Sequence, residues 1–263
     1  MVTQDFRDFS ITNWYENFKH ICLKSLLIEI PPEVIEKFQD DEEEVNSQNC
    51  PEQFKEQLRN ALNLLNKSAF IKNNWHAPTD ARMFSFDNNL KAVTVDDIFM
   101  YLNSSLCIRD DFDTVKGVPF CLCLRKWINI HPAAEFRLII INNMLRGITP
   151  RDWPTYYVHY KEESSQIIEE LSNFYIENVK IRFPRQNYIV DVVYSYPDKP
   201  YILDFGPLNS KTNLYAFTWK EIQPLLLKES PEDVAPVFRY LENDIGIMSK
   251  ADALRKFANA HST

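Results

Sequence analysis

Glycine is scarce in this chain of 263 residues, which has only four, at Gly117, Gly147, Gly206 and Gly246. Glycine-rich phosphate-binding loops need several glycines close together, because the backbone itself must approach the phosphate. No two of the four glycines are close enough for such a loop. A P-loop and a dinucleotide-binding fingerprint are therefore excluded, and cationic side chains would have to hold any bound phosphate.

The sequence also lacks paired cysteines, long apolar runs and an excess of basic residues. The five cysteines include no C-x-x-C pair, so neither a disulfide framework nor a zinc site is indicated, and a reducing compartment fits best. The chain has no signal-peptide pattern and no apolar stretch near the roughly 18 residues of a membrane span. The net charge of -8 argues against a nucleic-acid partner, which would call for a basic face. We therefore expect a soluble cytoplasmic protein that binds neither nucleic acid nor membrane.

Periodic apolar residues predict a mixture of helices and strands, and an acidic run at residues 40–44 is typical of a solvated loop. Helical spacing predicts helices at residues 9–18, after Pro51, after Thr94, at 155–179, after Thr218 and at 249–258. Strand patterns occur at residues 23–30, 69–72, 119–127, 135–141 and 144–148, the last two joined by a turn at 142–143. Helices and strands do not alternate regularly, as a parallel sheet requires, so the predicted class is α+β with antiparallel sheet.

Two aspartates face each other in a predicted β-hairpin. Apolar runs at residues 188–194 and 201–205 flank a turn signal at Pro197-Asp198, and pairing about that turn places Asp191 opposite Asp204. Opposed side chains have Cβ atoms about 5 Å apart, and like charges there are destabilising unless compensated. A divalent cation is the simplest compensation, and Mg²⁺ with nucleotide phosphates suits two carboxylates. The alternative is that one aspartate faces solvent or that a bulge separates the two.

Buried cations are the second candidate feature. Arg125 and Arg137 lie in predicted strands with mostly apolar neighbours, where a guanidinium needs a carboxylate or a phosphate. Each is therefore a phosphate ligand or half of a structural pair, with Glu135 or another acid. Lys72 beside Trp75 would supply a phosphate contact and a wall for a base, or else the two form an exposed loop pair.

Histidine gives no catalytic signal. His76 and His131 each lie within two residues of a proline, and neither has a second His or Cys at ligand spacing, so both are interpreted as turn residues. No Ser-His-Asp or Cys-His arrangement is recognisable, and nucleophilic catalysis has no support in the sequence.

A collinear set of short segments, from about residue 9 to 222, resembles the cell division cycle protein 123 family of eukaryotic cytoplasmic assembly factors. The segments that carry the resemblance are Trp14-Tyr15, Lys24-Ser25, Asn74-Trp75-His76-Ala77-Pro78, Ile108-Arg109-Asp110, Leu124-Arg125-Lys126-Trp127, Ala134-Glu135-Phe136-Arg137, Gly147-Ile148-Thr149-Pro150-Arg151-Asp152, Asp191, Asp204-Phe205 and Phe217-Thr218-Trp219. The resemblance implies an ATP-grasp-like α+β fold of two lobes with largely antiparallel sheets, approximately residues 1–120 and 121–263, and a nucleotide cleft between them.

The resemblance also implies ATP and Mg²⁺ as cofactors, with Asp191 and Asp204 as the metal ligands. It assigns phosphate contacts to the cations Lys72, Arg125 and Arg137. It assigns the lining of the base and linker region to Trp75, Ala77 and Trp127. Two positions depart from the family pattern. Gly206 replaces an asparagine that would complete the metal shell, for which Asn209 or water would substitute, and Thr79 replaces an arginine.

The function that the resemblance implies is assembly of a translation factor. The protein would be a monomeric ATP- and Mg²⁺-binding chaperone that binds the gamma subunit of eukaryotic translation initiation factor 2 and promotes assembly of the heterotrimer. It would act in the cytoplasm, or in the host cytoplasm if its source is an intracellular pathogen. Two alternatives stay open: an ATP-dependent ligase or phosphotransferase of ATP-grasp type, and an interaction protein of this family that no longer binds nucleotide. No residue pattern indicates turnover of ATP.

Overall fold

A computed structural model describes residues 4–40, 44–85, 87–228, 234–244 and 252 of the chain. The chain divides into two compact units, residues 1–129 and 130–263. Apart from Asp252, the helix predicted at residues 249–258 lies outside the described residues, as do three of the five residues of the acidic run at 40–44.

The first unit contains a four-stranded antiparallel sheet. Its strands are β1 (Ser25–Glu29), β2 (Ala69–Lys72), β3 (Lys91–Ala92) and β4 (Cys121–Lys126), in the order β1-β4-β2-β3. Because β4 pairs on both sides, it lies in the middle of this sheet, within the unit that ends at Asn129. The approximate lobe boundary near residue 120 stays a prediction. The strand predicted at residues 119–127 is confirmed as β4, and both of its faces are buried up to Arg125.

The described residues of the first unit form six helices. They are α1 (Gln4–Asp8), α2 (Ile11–Phe18), α3 (Pro32–Gln39), α4 (Glu52–Leu64), α5 (Val95–Ser104) and α6 (Leu106–Thr114). Of these, α2, α4 and α5 were predicted from apolar spacing and α1, α3 and α6 were not. The predicted start of α5 is confirmed, because the Thr94 side chain accepts from the N–H of Asp97 and the Asp97 carboxylate accepts from that of Thr94. Among the described residues, none of the helices combines the length and the apolar character needed to cross a membrane.

The second unit contains a five-stranded sheet. Its strands are β5 (Glu135–Ile141), β6 (Met144–Pro150), β7 (Tyr188–Val193), β8 (Tyr201–Pro207) and β9 (Val237–Phe238), in the order β8-β7-β5-β6-β9. All pairs are antiparallel except β6 with β9. The predicted turn between β5 and β6 is confirmed by the positive φ angles of Asn142 and Asn143, which a two-residue hairpin turn of this hand requires. The α+β class with largely antiparallel sheets is therefore confirmed.

Two helices flank this sheet. They are α7 (His159–Phe174), which begins four residues later than predicted and continues as a π-helical turn at Tyr175–Val179, and α8 (Trp219–Leu226). One face of the sheet carries Ile139 and Ile189. It packs on a hydrophobic cluster that includes Phe217, which precedes α8, and Ile222 of α8. Gly147 permits this contact, because a Cβ there would lie 2.8 Å from the ring of Phe217.

The predicted register of the aspartate hairpin is confirmed. Asp191 of β7 pairs with Asp204 of β8, as pairing about Pro197-Asp198 requires. A register irregularity is present, but it follows Asp191 and precedes Val192, so it does not separate the two aspartates.

Candidate functional site

A row of charged residues crosses the second sheet. The strand register places Asp204 of β8 beside Asp191 of β7, and Asp191 beside Arg137 of β5. Directly paired residues point to the same face of a sheet, so the three side chains form one row. The row lies on the same face of the sheet as Ile139 and Ile189, which are two residues away from Arg137 along β5 and from Asp191 along β7.

Arg137 and Asp191 form a bidentate ion pair. The Nε–Oδ1 distance is 2.7 Å and the Nη2–Oδ2 distance is 2.8 Å, with both residues buried. Burial alone would lower the pKa of Arg137, but the Asp191 carboxylate raises that pKa above its ordinary value. For Arg137 the structural pair is therefore the arrangement present, and the acid is Asp191 and not Glu135.

This ion pair changes how the opposed aspartates are interpreted. We expected a divalent cation to compensate their charge, whereas a guanidinium compensates that of Asp191. Each carboxylate oxygen has two lone-pair sites, so the pair with Arg137 leaves positions at which Asp191 could also bind a cation. Asp204 is half-buried, and its Oδ1 accepts from the N–H of Phe205 at 3.1 Å. The metal-binding role of the two aspartates stays a prediction.

The oxygen ligands near this row are few. No group of three or more His, Cys, Asp or Glu side chains able to hold a metal ion occurs in the part of the chain that the structure describes. Asn209, the suggested replacement for the missing asparagine, is exposed, and its Oδ1 accepts from the N–H of Lys211 at 3.0 Å. Mg²⁺ at Asp191 and Asp204 would therefore take its remaining ligands from phosphate and water oxygens, as this ion usually does.

Tyr215 and Arg151 complete the surroundings of the ion pair, and neither was singled out from the sequence as a site residue. The guanidinium carbon of Arg137 lies 4.6 Å from the centre of the Tyr215 ring, and Arg151 Nε donates to the Tyr215 hydroxyl at 3.0 Å. Arg151 also pairs with Glu135 at 2.9 Å. Tyr215 has a φ of 53°, in the left-handed region that is uncommon for residues other than glycine. The only signal for Arg151 was its place in a family-like segment, and Tyr215 gave none.

The first unit carries two buried cations on one face of its sheet. Lys72 pairs with Cys123, and Arg125 pairs with Phe70, so the two cations are diagonal neighbours on β2 and β4. Lys72 is 1% exposed and Arg125 is 5% exposed. The structure thus excludes the alternative in which Lys72 and Trp75, itself 8% exposed, form an exposed loop pair.

Arg125 differs from Arg137 in its partners. Its Nε donates to the Ser25 hydroxyl at a long 3.4 Å, and its Nη2 is buried with no hydrogen-bond partner among the described residues. A buried charge that lacks a partner is strongly unfavourable. The Nη2 group of this buried guanidinium could therefore donate to a bound anion.

The three residues expected to line the base differ in accessibility. Trp75 stacks on Phe6 with ring centres 4.4 Å apart, and its indole N–H donates to the Phe6 carbonyl at 3.0 Å, so most of this side chain packs inside the unit. Ala77 and Trp127 are partly exposed. The Trp127 indole N–H donates to the Asn129 side chain at 3.2 Å.

His76 has a partner that the sequence did not reveal. It does lie in a turn, with its N–H bonded to the Asn73 side chain, but its ring Nδ1 lies 2.7 Å from Oδ2 of Asp111. Burial alone would lower the pKa of His76, but hydrogen bonds to Asp111 and Cys107 raise it to about 10. The turn interpretation is right for His131, whose Nδ1 accepts from the N–H of Ala133.

The structure thus gathers the expected site residues into two groups, one in each unit. The first unit holds Lys72, Trp75, Ala77, Arg125 and Trp127, and the second holds Arg137, Asp191 and Asp204. An α+β chain with buried cations on one sheet and an arginine–carboxylate row on another offers donors for an anion and carboxylate oxygens for a cation.

Comparison with known proteins gives the family. Residues 36–261 match the D123 family, and the chain belongs to it. A relative from Xenopus tropicalis named "Translation initiation factor eIF2 assembly protein" is 28% identical, over 94% of this chain and 88% of the relative. A relative from Yarrowia lipolytica named "Cell division cycle protein 123" is 31% identical, over 73% of this chain and 61% of the relative. The resemblance inferred from the sequence is therefore confirmed.

The fold also has a known counterpart. The structure of Cdc123 from Schizosaccharomyces pombe matches with a TM-score of 0.79 and 23% identity, over 91% of this chain and 97% of that chain. The α+β fold with largely antiparallel sheets that the resemblance implies is confirmed by this match.

Proposed function

We propose that the protein is an ATP- and Mg²⁺-binding assembly chaperone that binds the gamma subunit of eukaryotic translation initiation factor 2 and promotes assembly of the heterotrimer. The observation that carries the nucleotide part is the buried, unpartnered Nη2 of Arg125 beside buried Lys72. The assembly role is supported by membership of the D123 family and by relatives named eIF2 assembly proteins.

Different residues bind different parts of the nucleotide. Lys72 and Arg125 bind phosphate oxygens, because a bound phosphate gives the buried guanidinium the charged partner it otherwise lacks. Asp191 and Asp204 bind Mg²⁺, which neutralises phosphate charge. Arg137 primarily holds Asp191, and its Nη1 also donates to the Asn213 carbonyl. It contacts phosphate with the second N–H of Nη1 or of Nη2.

The remaining contacts concern the base and linker region of the nucleotide. Ala77 and Trp127 offer accessible surface there, whereas Trp75 contributes the small part of its ring that is not packed on Phe6 and Phe120. The described residues offer no additional group that marks an acceptor for a transferred phosphate. Binding without turnover is therefore the proposed role of ATP.

The partner side of the proposal rests on family membership, and the charge of the chain agrees with it. A net charge of -8 favours association with a basic protein surface. The protein acts as a monomer in the cytoplasm, where its proposed partner is made.

Arg125→Met separates a ligand-binding arginine from a structural one. Replacing a buried guanidinium whose Nη2 has no partner among the described residues with an apolar side chain of similar length leaves stability unchanged or raises it. Removing a phosphate contact weakens ATP binding by about tenfold or more, equivalent to ~1.4 kcal/mol. Urea unfolding and calorimetric ATP titration measure the two effects. A large loss of stability with unchanged ATP affinity would show that Arg125 serves the fold and not a nucleotide.

The partner is tested with purified components. Immobilised gamma subunit is expected to retain the protein, and retention is compared with and without ATP and Mg²⁺. Arg125→Met reports how far retention depends on nucleotide. Absence of retention under every condition contradicts the assembly role, and release of ADP or AMP would instead indicate an enzyme.

A further inference from the structure

Strand β1 lies at an edge of the first sheet and, within the described part of the chain, pairs with β4 alone. The Lys24 carbonyl and the Ile30 N–H, at the two ends of this pairing, each bond to the backbone next to β4 or within it over 2.8 Å. Bonded positions alternate along an antiparallel pair. The backbone groups of Ser25, Leu27 and Glu29 therefore point away from β4, towards the outer side of the sheet.

One end of this edge is covered and the other is open. The Ser25 N–H donates to the Tyr15 hydroxyl of α2 at 2.8 Å. The outward N–H and C=O groups of Leu27 and Glu29 have no hydrogen-bond partner among the residues that the structure describes. Leu27 is partly exposed and Glu29 is exposed. A sheet edge with free backbone groups is a template on which another strand can pair.

Open space flanks the uncovered part of the edge. A cavity of about 500 Å³ is lined by Leu27 and Glu29 of β1 together with Thr12 and Asn13 of α2. A second cavity, of about 280 Å³, is lined by Glu29 together with Glu33 of α3 and residues of α4. Because Glu29 lines both cavities, the uncovered edge lies between them. We call the two cavities and this edge the β1 groove.

We propose that the β1 groove binds an extended segment of a partner protein as an added strand, and that this segment carries a lysine or an arginine. The free N–H and C=O groups of Leu27 and Glu29 bond to the backbone of the segment, as in other complexes formed by strand addition. The inference rests on the proposed function in taking the gamma subunit as this partner, and it goes further by giving the place and the mode of contact.

The charge of the β1 groove selects the side chain of the segment. Glu29 is exposed at the open edge, and the exposed Glu33 lines the smaller cavity. Opposite charges on directly paired residues of neighbouring strands stabilise the pairing, and like charges destabilise it. Arg7 lines the larger cavity, but no ion pair joins it to Glu29 in the described part of the chain. A basic side chain across from Glu29 is therefore favoured.

A second copy of this chain fits the β1 groove less well. Each copy has a net charge of -8, so two copies repel each other. Because the Tyr15 hydroxyl occupies the Ser25 N–H, pairing of two β1 edges would be confined to Leu27 and Glu29 of each copy. The Glu29 carboxylates of both copies would then lie close together. A basic segment of another protein meets neither obstacle.

Residue-resolved hydrogen exchange of the whole protein, with and without purified gamma subunit in ATP and Mg²⁺, tests the edge without any substitution. The N–H groups of Leu27 and Glu29 are expected to exchange about tenfold or more slowly in the complex. Those of Leu26 and Ile28 bond to β4 in both states and are expected to change less. Unchanged exchange at Leu27 and Glu29 in a complex that does form would overturn this inference and leave the proposed function intact.

Two pairs of variants test the backbone and the charge separately, by retention on immobilised gamma subunit. Leu27→Pro removes an outward N–H and leaves the bonds to β4 in place, a change that edge strands tolerate, whereas Leu27→Val keeps the N–H. Leu27→Pro is expected to weaken retention about tenfold and Leu27→Val to leave it unchanged. Glu29→Lys weakens retention at low salt, and Glu169→Lys, the same change on exposed α7, does not.

Urea unfolding of each variant shows that the folded protein is being compared. Equal retention of Leu27→Pro and Leu27→Val, or of Glu29→Lys and Glu169→Lys, would overturn the inference while the proposed function stands. No retention of the parent would overturn the proposed function and this interface with it. Sedimentation supplies the last outcome, because self-association of the parent that Leu27→Pro abolishes would assign the edge to a second copy and contradict the proposal.

Discussion

Arg137 and Asp191 face each other across β5 and β7 and share two hydrogen bonds, of 2.7 and 2.8 Å, in a buried setting. Such a pair stabilises little relative to an apolar pair, but breaking it leaves one charge buried without a partner. Asp191 is consequently needed by the fold as well as by any bound cation. Substitutions at Asp191 alone therefore cannot separate the two roles.

Arg137→Met is expected to lower the free energy of unfolding by ~3–5 kcal/mol, because it leaves the buried Asp191 carboxylate without its partner. Arg59→Met is the control. Arg59 pairs with Glu52 on the exposed face of α4, away from Asp191, so its loss is expected to change the free energy of unfolding far less. Urea unfolding at neutral pH measures both values. Similar small losses in the two variants would contradict a structural role for the Arg137–Asp191 pair.

Asp204→Asn tests whether Asp204 is a metal ligand. Without Mg²⁺, it removes a like charge opposite Asp191 and is expected to raise stability by ~0.2–1 kcal/mol. With Mg²⁺, the parent gains stability by binding the ion and the variant does not. Thermal unfolding with and without MgCl₂ gives the comparison, and CaCl₂ serves as a control for ion size. An equal response of parent and variant to Mg²⁺ argues against a metal ligand at Asp204.

The His76–Asp111 contact makes stability depend on pH. The pKa of His76 in the folded protein, about 10, lies above the ordinary value of 6.5. The folded state therefore binds the proton more tightly, and the resulting stabilisation is fully present below pH 6.5 and is lost as the pH rises towards 10. The difference in free energy of unfolding between the parent and His76→Gln is expected to shrink over this range. A difference that stays constant from pH 6 to pH 10 would be inconsistent with the ion pair.

Thr79 marks a departure from the family pattern that can be reversed. It is exposed at the start of a 3₁₀ turn, Thr79–Phe84, so a longer side chain meets no buried neighbour. If it restores a charge-assisted phosphate contact, Thr79→Arg raises ATP affinity by about tenfold, or ~1.4 kcal/mol. Thr79→Gln, of similar length but uncharged, is the control in calorimetric titration. Equal affinities in the two variants would place this position away from the phosphates.

The local elements of the fold could be predicted from sequence because their signals are local. Alternating apolar residues and the position of Pro197-Asp198 were enough to pair Asp191 with Asp204, and apolar spacing was enough to place α4. The strands β3 and β9 have only two residues each, too few for a periodic pattern to show. Whether β4 joined the first or the second unit depended on pairings between strands distant in sequence.

For the candidate site residues, the sequence predicted which residue types lie in apolar strands but not which partners each side chain has. Arg125 and Arg137 looked alike in sequence, each a guanidinium in an apolar strand, and both are buried. Only the folded chain shows that Arg137 has a carboxylate partner and that Nη2 of Arg125 has no partner within the described part of the chain. Likewise, no spacing rule connects His76 to Asp111, because a loop residue meets a helix 35 positions later.

Calorimetric titration of ATP, with and without Mg²⁺, into the parent and Asp204→Asn tests the proposed nucleotide site most directly. The expected result is Mg²⁺-dependent binding by the parent that is lost or strongly weakened in Asp204→Asn, with the variant at least as stable as the parent in the absence of Mg²⁺. Absence of binding by the parent under either condition would contradict the account. It would show that Thr79 and Gly206 mark a site that no longer holds nucleotide, and would leave protein interaction as the function.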